Sequence, residues 1–134
     1  MPRHILTVLA FILVTFAVQG LSHFVINVDH YASIGHLRAE PIMPLGFATM
    51  TIQGLILSVA MSRLWPDGTS IKNGMLVAGF FGLFLGSYMV LTESAKYTVP
   101  SIPTWMATEA VAVTTQFCIF GVVLGFIYRK RDTA

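Results

Sequence analysis

Four polar side chains, Gln19, His23, Asn27 and His30, recur at spacings of four and three residues within an otherwise apolar stretch. On an α-helix these positions lie within roughly a quarter-turn of one another. Carboxamides and imidazoles in such a stripe could bind a proton or hydrogen-bond a ligand. Asp29, His36, Arg38 and Glu40 follow at once and extend the polar group into what reads as a loop. Ionisable groups at membrane depth are costly unless paired, so they mark packing contacts or a functional site.

Glu109 is the most pointed single residue. It is expected about one turn inside the last helix, with Gln116 seven residues on and on the same face. His23 is expected at similar depth. A carboxyl group there should be paired with His23, Lys96 or Arg38, or else protonated. Tyr88, Thr92 and Lys96 form another stripe on the third helix. His23, Asn27, Tyr88 and Glu109 are therefore the candidate ligand- or proton-binding residues. Asp29, His30, Arg38, Glu40 and Lys96 form the outer-loop polar group. The plainer alternative is a set of interface residues with loop or water partners.

Gln19, Gln53 and Gln116 all count to about 14–17 Å from their helix ends, near the bilayer midplane. Three carboxamides at one depth are expected to form an interhelical hydrogen-bonded layer, as structural glue or as the lining of a passage. No metal or haem is expected. His23 and His30 share one helix face and cannot sandwich a haem, and His30, His36, Asp29 and Glu40 lack metal-ligand spacing. Nucleophile-elbow, paired-cysteine, phosphate-loop and zinc-protease motifs are absent from the sequence, so nothing in it supports catalysis, and a membrane enzyme or redox subunit using His23 and Glu109 is only a third reading.

The elements that must position these groups follow from composition. Of 134 residues, 55% are hydrophobic and only 10% charged, with a mean hydropathy of +0.76. Soluble domains carry about a quarter charged residues. The chain reads as an all-α integral membrane protein, one domain over residues 1–134, with helices at about 5–28, 42–65, 71–92 and 105–128. Pro41 and Pro44 suit the start of the second helix, Pro66-Asp67-Gly68 its end, and Ser70 and Thr104 the caps of the third and fourth. A cleaved signal peptide ending near Val18-Gln19-Gly20 competes with a retained first helix. Cys118, inside an apolar run, is expected to be a small buried hydrophobe.

Four spans place both termini on one side, with Arg3, Arg63, Lys72, Arg129, Lys130 and Arg131; Arg38 and Lys96 lie on the other. The positive-inside rule then makes the termini cytoplasmic, in a bacterial inner membrane. A net charge of +2 without a basic amphipathic element argues against nucleic acid as a partner. Gln53 with Gln116, Gly20 with Gly86 and Tyr31 with Tyr97 suggest two tandem hairpins. Gly82-Leu-Phe-Leu-Gly86 and Gly121-Val-Val-Leu-Gly125 have close-packing spacing.

The Arg38–Pro41 segment, the glycine-studded third helix and the Trp-led fourth helix ending Gly121-x-x-x-Gly125 resemble small four-helix bacterial membrane proteins of unknown function. The resemblance implies a compact four-helix fold and transfers no activity. The expected function is binding or transport of a small molecule or ion through an outward-facing polar vestibule. The competing reading is an accessory or assembly subunit of a larger membrane complex. Partners in either case are the lipid bilayer and, beyond it, a second copy or another membrane protein.

Overall fold

The computed structural model describes residues 2–34, 38 and 40–130. Helix α1 (Pro2–Leu21) runs into a π-helical stretch, Ser22–Ile26, and the short α2 (Val28–Ala32) follows. Helix α3 covers Met43–Leu64, with Pro44 in its first turn. Helix α4 (Ile71–Ser87) is capped by Ser70, whose hydroxyl accepts from the Asn73 N–H. It continues through a second π-helical stretch, Tyr88–Glu93, into α5 (Ser94–Lys96). Helix α6 covers Ile102–Ile127. Four segments, Pro2–Ile26, Met43–Leu64, Ile71–Lys96 and Ile102–Ile127, are long and apolar enough to cross a membrane. The protein is an all-α integral membrane protein.

Three local details differ from expectation. The first helix does not run evenly to residue 28: π-helical winding ends at Asn27, whose φ of −117° and ψ of 33° break the helix. His30 consequently does not continue the Gln19–His23 stripe but starts afresh on α2. The third span extends to Lys96, because the π turns absorb extra residues without ending the helix. Ser101, and not Thr104, caps the last helix; its hydroxyl accepts from the Thr104 N–H. His36 and Arg131 lie outside the described residues.

The spans pair as two hairpins, first with second and third with fourth, and the first span also packs along the fourth. Glycine decides how closely. A Cβ on Gly74 would collide with the backbone of Gly125, and one on Gly125 with that of Ile71, so the third and fourth helices meet backbone to backbone. Gly82 and Gly86 instead receive the side chains of Phe117 and Val113. Phe11, Leu57, Met61, Phe120 and Leu124 fill the centre, while Tyr31, Ile34 and Trp105 form a second cluster at the end carrying residues 27–34 and 97–101, here the distal end. Tyr31 and Tyr97 each set an edge-on contact with Trp105 at 5.9 Å. The opposite, terminal end is tied by Thr69, which donates to the Tyr128 carbonyl and accepts from the Lys130 N–H. Gly68 allows this turn with φ of +99°.

Leucine, phenylalanine, isoleucine and valine side chains such as Leu13, Phe80, Leu83, Phe84 and Val111 cover the outside, the arrangement a lipid solvent requires. Cys118 is on this exposed surface, not buried, because its neighbours Phe117 and Gln116 take the inward positions of the helix. The second and third spans touch each other little. That gap is where the site lies.

Candidate functional site

Glu109 is 1% exposed, and its Oε1 accepts a 2.6 Å hydrogen bond from the hydroxyl of Tyr31. His23, Lys96 and Arg38, its expected partners, make no ion pair with it. The short helix α2 explains why: the break at Asn27 turns the chain back over the bundle end and drops the Tyr31 ring onto the fourth helix. Tyr31 then stacks on His23, ring centroids 3.6 Å apart and 13° from parallel. Burial, and next the hydrogen bond to Glu109, push the Tyr31 phenol well above its ordinary range, so it remains a donor. His23 and Glu109 thus share a neighbour without touching.

His23 donates from Nδ1 to the Gln19 carbonyl at 2.9 Å, which leaves Nε2 as an acceptor when the ring is neutral. Asn27 donates to the Ser22 hydroxyl at 3.0 Å, and that hydroxyl is 3.5 Å from the Tyr31 oxygen. Asn27 therefore closes the helix break. His30 stacks on Trp105 at 4.8 Å, and its Nε2 is buried without a partner. Lys96 donates to the Tyr88 hydroxyl at 2.9 Å and lies 4.9 Å from that ring, on the exposed side. Asp29, Arg38 and Glu40 are exposed and reach none of these groups. Among the described residues, no three histidine, cysteine, aspartate or glutamate side chains come together.

The glutamine layer forms with one member replaced. Gln19 donates from Nε2 to Gln116 Oε1 at 2.8 Å, and Gln116 donates to the Thr15 hydroxyl at 2.9 Å. Gln53 makes no hydrogen bond to a described residue. The expectation of three glutamines in contact fails because the second span packs on the first, through Gly54 against Val8 and Phe11, and Gln53 shares a cavity wall with Gln19 and Gln116 without bonding to either.

Between the first three spans lies a cavity of about 480 Å³. Gln19, His23, Gln53, Tyr88, Glu93 and Gln116, with two threonines, supply its polar wall, and Phe16, Phe24, Phe47, Met43, Met50 and Met89 most of its apolar one. Gly20 and Gly46 also line it, and a Cβ on either would meet nothing within 4 Å. These two glycines leave volume, unlike Gly74 and Gly125, which permit contact. Glu93 brings a carboxyl group to the polar wall and Gln53 a carboxamide without a hydrogen bond to a described residue; Gln19 Oε1 is itself buried with no hydrogen-bond partner.

Glu93 was outside the sequence-derived set. Its signal was the polar residue spacing beyond Tyr88, masked by ending the third helix at Thr92. Also missed was a buried chain at the terminal end. His4 Nδ1 lies 2.8 Å from the Ser58 hydroxyl, which is 2.7 Å from the hydroxyl of Tyr128. Ser62 is 3.1 Å from the same hydroxyl. Ser58 is 0% exposed, so this chain clamps three spans together and offers no access to a substrate.

Compared with known proteins, the chain matches no family model, no curated protein and no solved structure. The functional reading rests on the cavity.

Proposed function

We propose that the protein is a non-enzymatic binder of small amphipathic molecules whose head group donates hydrogen bonds, such as an alkylamine or alkyl alcohol. The single observation behind this reading is the cavity itself, in which an aromatic and methionine wall faces a polar wall that carries the Glu93 carboxyl, His23 and three carboxamides. A donor head group would hydrogen-bond to the Glu93 carboxyl on that wall, and a bond to an ionised group is stronger than a neutral one. The aromatic and methionine wall suits the tail of such a molecule, and methionine adapts to varied shapes. Entry between the second and third spans would bring the ligand from the lipid. Transport would follow if the same site opened to both sides.

The test uses a dodecylamine carrying a photoreactive diazirine, with the methyl ester of the same chain length as the analogue without a donor. In nanodiscs, the amine is expected to label residues around the cavity and the ester to label several-fold less. Gly46→Leu and Gly20→Leu fill the volume where no atom stands in the way, so both should fold normally and lose labelling. Glu93→Gln should weaken it. Equal labelling by amine and ester, or labelling indifferent to both glycine replacements, would move the accessory-subunit reading to first place.

We further propose a bacterial inner-membrane location with the terminal end in the cytoplasm, supported by the Lys/Arg bias of six to two. Ser33, Ser70 and Ser101 are exposed at the ends of the bundle. In a Cys118→Ser background, cysteines at positions 33 and 101 should react with an impermeant thiol reagent added to intact cells. Reaction at position 70 instead would mean the opposite orientation.

A further inference from the structure

The terminal end carries a second hollow, unconnected with the cavity above. It measures about 420 Å³ and lies between the start of the first span and the end of the fourth. Arg3, Arg129 and Lys130 surround it, and Leu6, Phe126 and Ile127 form its apolar wall. Arg3 is held in place, its guanidinium carbon 5.6 Å from the centre of the Tyr128 ring, which is 1% exposed. Lys130 is fixed through its backbone, donating to the Thr69 carbonyl at 3.0 Å. None of the three cations is ion-paired with a carboxylate among the described residues.

Basic residues at a membrane end have an ordinary explanation in topology, and cations just past a helix C-terminus complement its dipole. Those effects account for the sign of Arg129 and Lys130. They do not account for Arg3, from another helix, meeting them around one hollow. Arg63 and Lys72 show the ordinary case: they are exposed at the same end and do not line this hollow. Three cations without a carboxylate partner among the described residues, gathered around one concavity, favour an anion. The apolar wall restricts its kind. Phe126 and Ile127 close the last membrane-spanning helix, and Leu6 lies in the first turns of the first, so the hollow sits where lipid head groups meet acyl chains.

We propose that this hollow binds the phosphate of an anionic phospholipid, with Arg3, Arg129 and Lys130 on the phosphate and the first methylenes against Leu6 and Phe126. Arginine supplies a planar fork suited to phosphate oxygens, and lysine a point charge. Basic pockets between membrane helices recognise lipid head groups by this chemistry. A soluble phosphate shares the charge but gains nothing from the apolar wall.

The experiment is native mass spectrometry of the protein released from nanodiscs of equal parts phosphatidylcholine and phosphatidylglycerol. The wild type should retain phosphatidylglycerol in preference. Arg129→Gln with Lys130→Gln should reduce that preference by about fivefold per cation removed. Arg63→Gln with Lys72→Gln removes the same charge from the same end and should leave it unchanged. Arg3→Gln removes one cation and should reduce the preference by about fivefold, and the Arg129/Lys130 variant carries the test if loss of the Tyr128 contact unfolds it. No preference in the wild type, or equal loss in the Arg63/Lys72 control, would overturn the proposal. Displacement of phosphatidylglycerol by inorganic phosphate alone would reassign the hollow to a soluble anion and equally overturn it.

Discussion

Replacing Tyr31 by phenylalanine is expected to destabilise the protein by about 2–3 kcal/mol, far more than loss of one exposed hydroxyl would. Glu109 is buried, and the Tyr31 hydroxyl is its hydrogen-bond donor. Removing that donor strands a buried carboxyl group, whereas Tyr31→Phe combined with Glu109→Leu removes both halves of the deficit. The double variant should therefore recover much of the loss, and equilibrium unfolding in bicelles would measure all three. Strict additivity would mean that the two side chains do not support each other.

The same bond sets an alkaline limit. The Tyr31 phenol titrates higher in the folded protein than its ordinary value of 10.0. Its contribution to stability is fully present below that value and is lost as pH rises toward the folded pKa, because only the unfolded chain then releases the proton. Stability should fall above about pH 10 in the wild type, and Tyr31→Phe should remove this part of the slope. Tyr31 also stands between His23 and Glu109, so Glu109→Gln should alter the NMR titration of His23 only while Tyr31 is intact. A slope identical in both proteins would show that Tyr31 is not the titrating link.

Gly125→Leu is expected to be the most damaging single replacement outside this cluster. Even a methyl group at Gly125 would overlap the backbone of Ile71, and backbone cannot rotate away as a side chain can. The third and fourth helices would have to separate, at a cost of about 3 kcal/mol. Gly79→Leu, on the same pair of helices, adds atoms where a Cβ meets nothing within 4 Å and should be nearly neutral. Unfolding titrations in detergent would separate the two. Similar losses at both positions would show that helix propensity, not close approach, governs these glycines.

The number of spans and their approximate limits were legible in the sequence because each depends on local quantities. An apolar run of about twenty residues and a Pro-Asp-Gly turn act through chain length and backbone preference alone. Glu109 and Gln116 could be singled out for the same reason, since a polar residue inside an apolar run is anomalous wherever its helix packs. The Ser70 cap was equally local.

Partners were not local. Which phenol would meet Glu109 depended on a π-helical turn and a helix break at Asn27, neither of which changes the hydrophobic pattern. Uniform α-helical counting carried His30 along the His23 face and ended the third helix before Glu93. Extra residues in the π turns falsify that counting beyond each turn. Glycines show the same division. Spacing marked Gly82–Gly86 and Gly121–Gly125 as contact positions; Gly121 and Gly125 do meet the backbone of Met75 and Ile71, but Gly82 and Gly86 meet side chains, Gly74 was missed, and Gly20 and Gly46 border empty volume. A glycine that lets helices touch and one that keeps them apart have the same letter, and only the neighbouring helix distinguishes them.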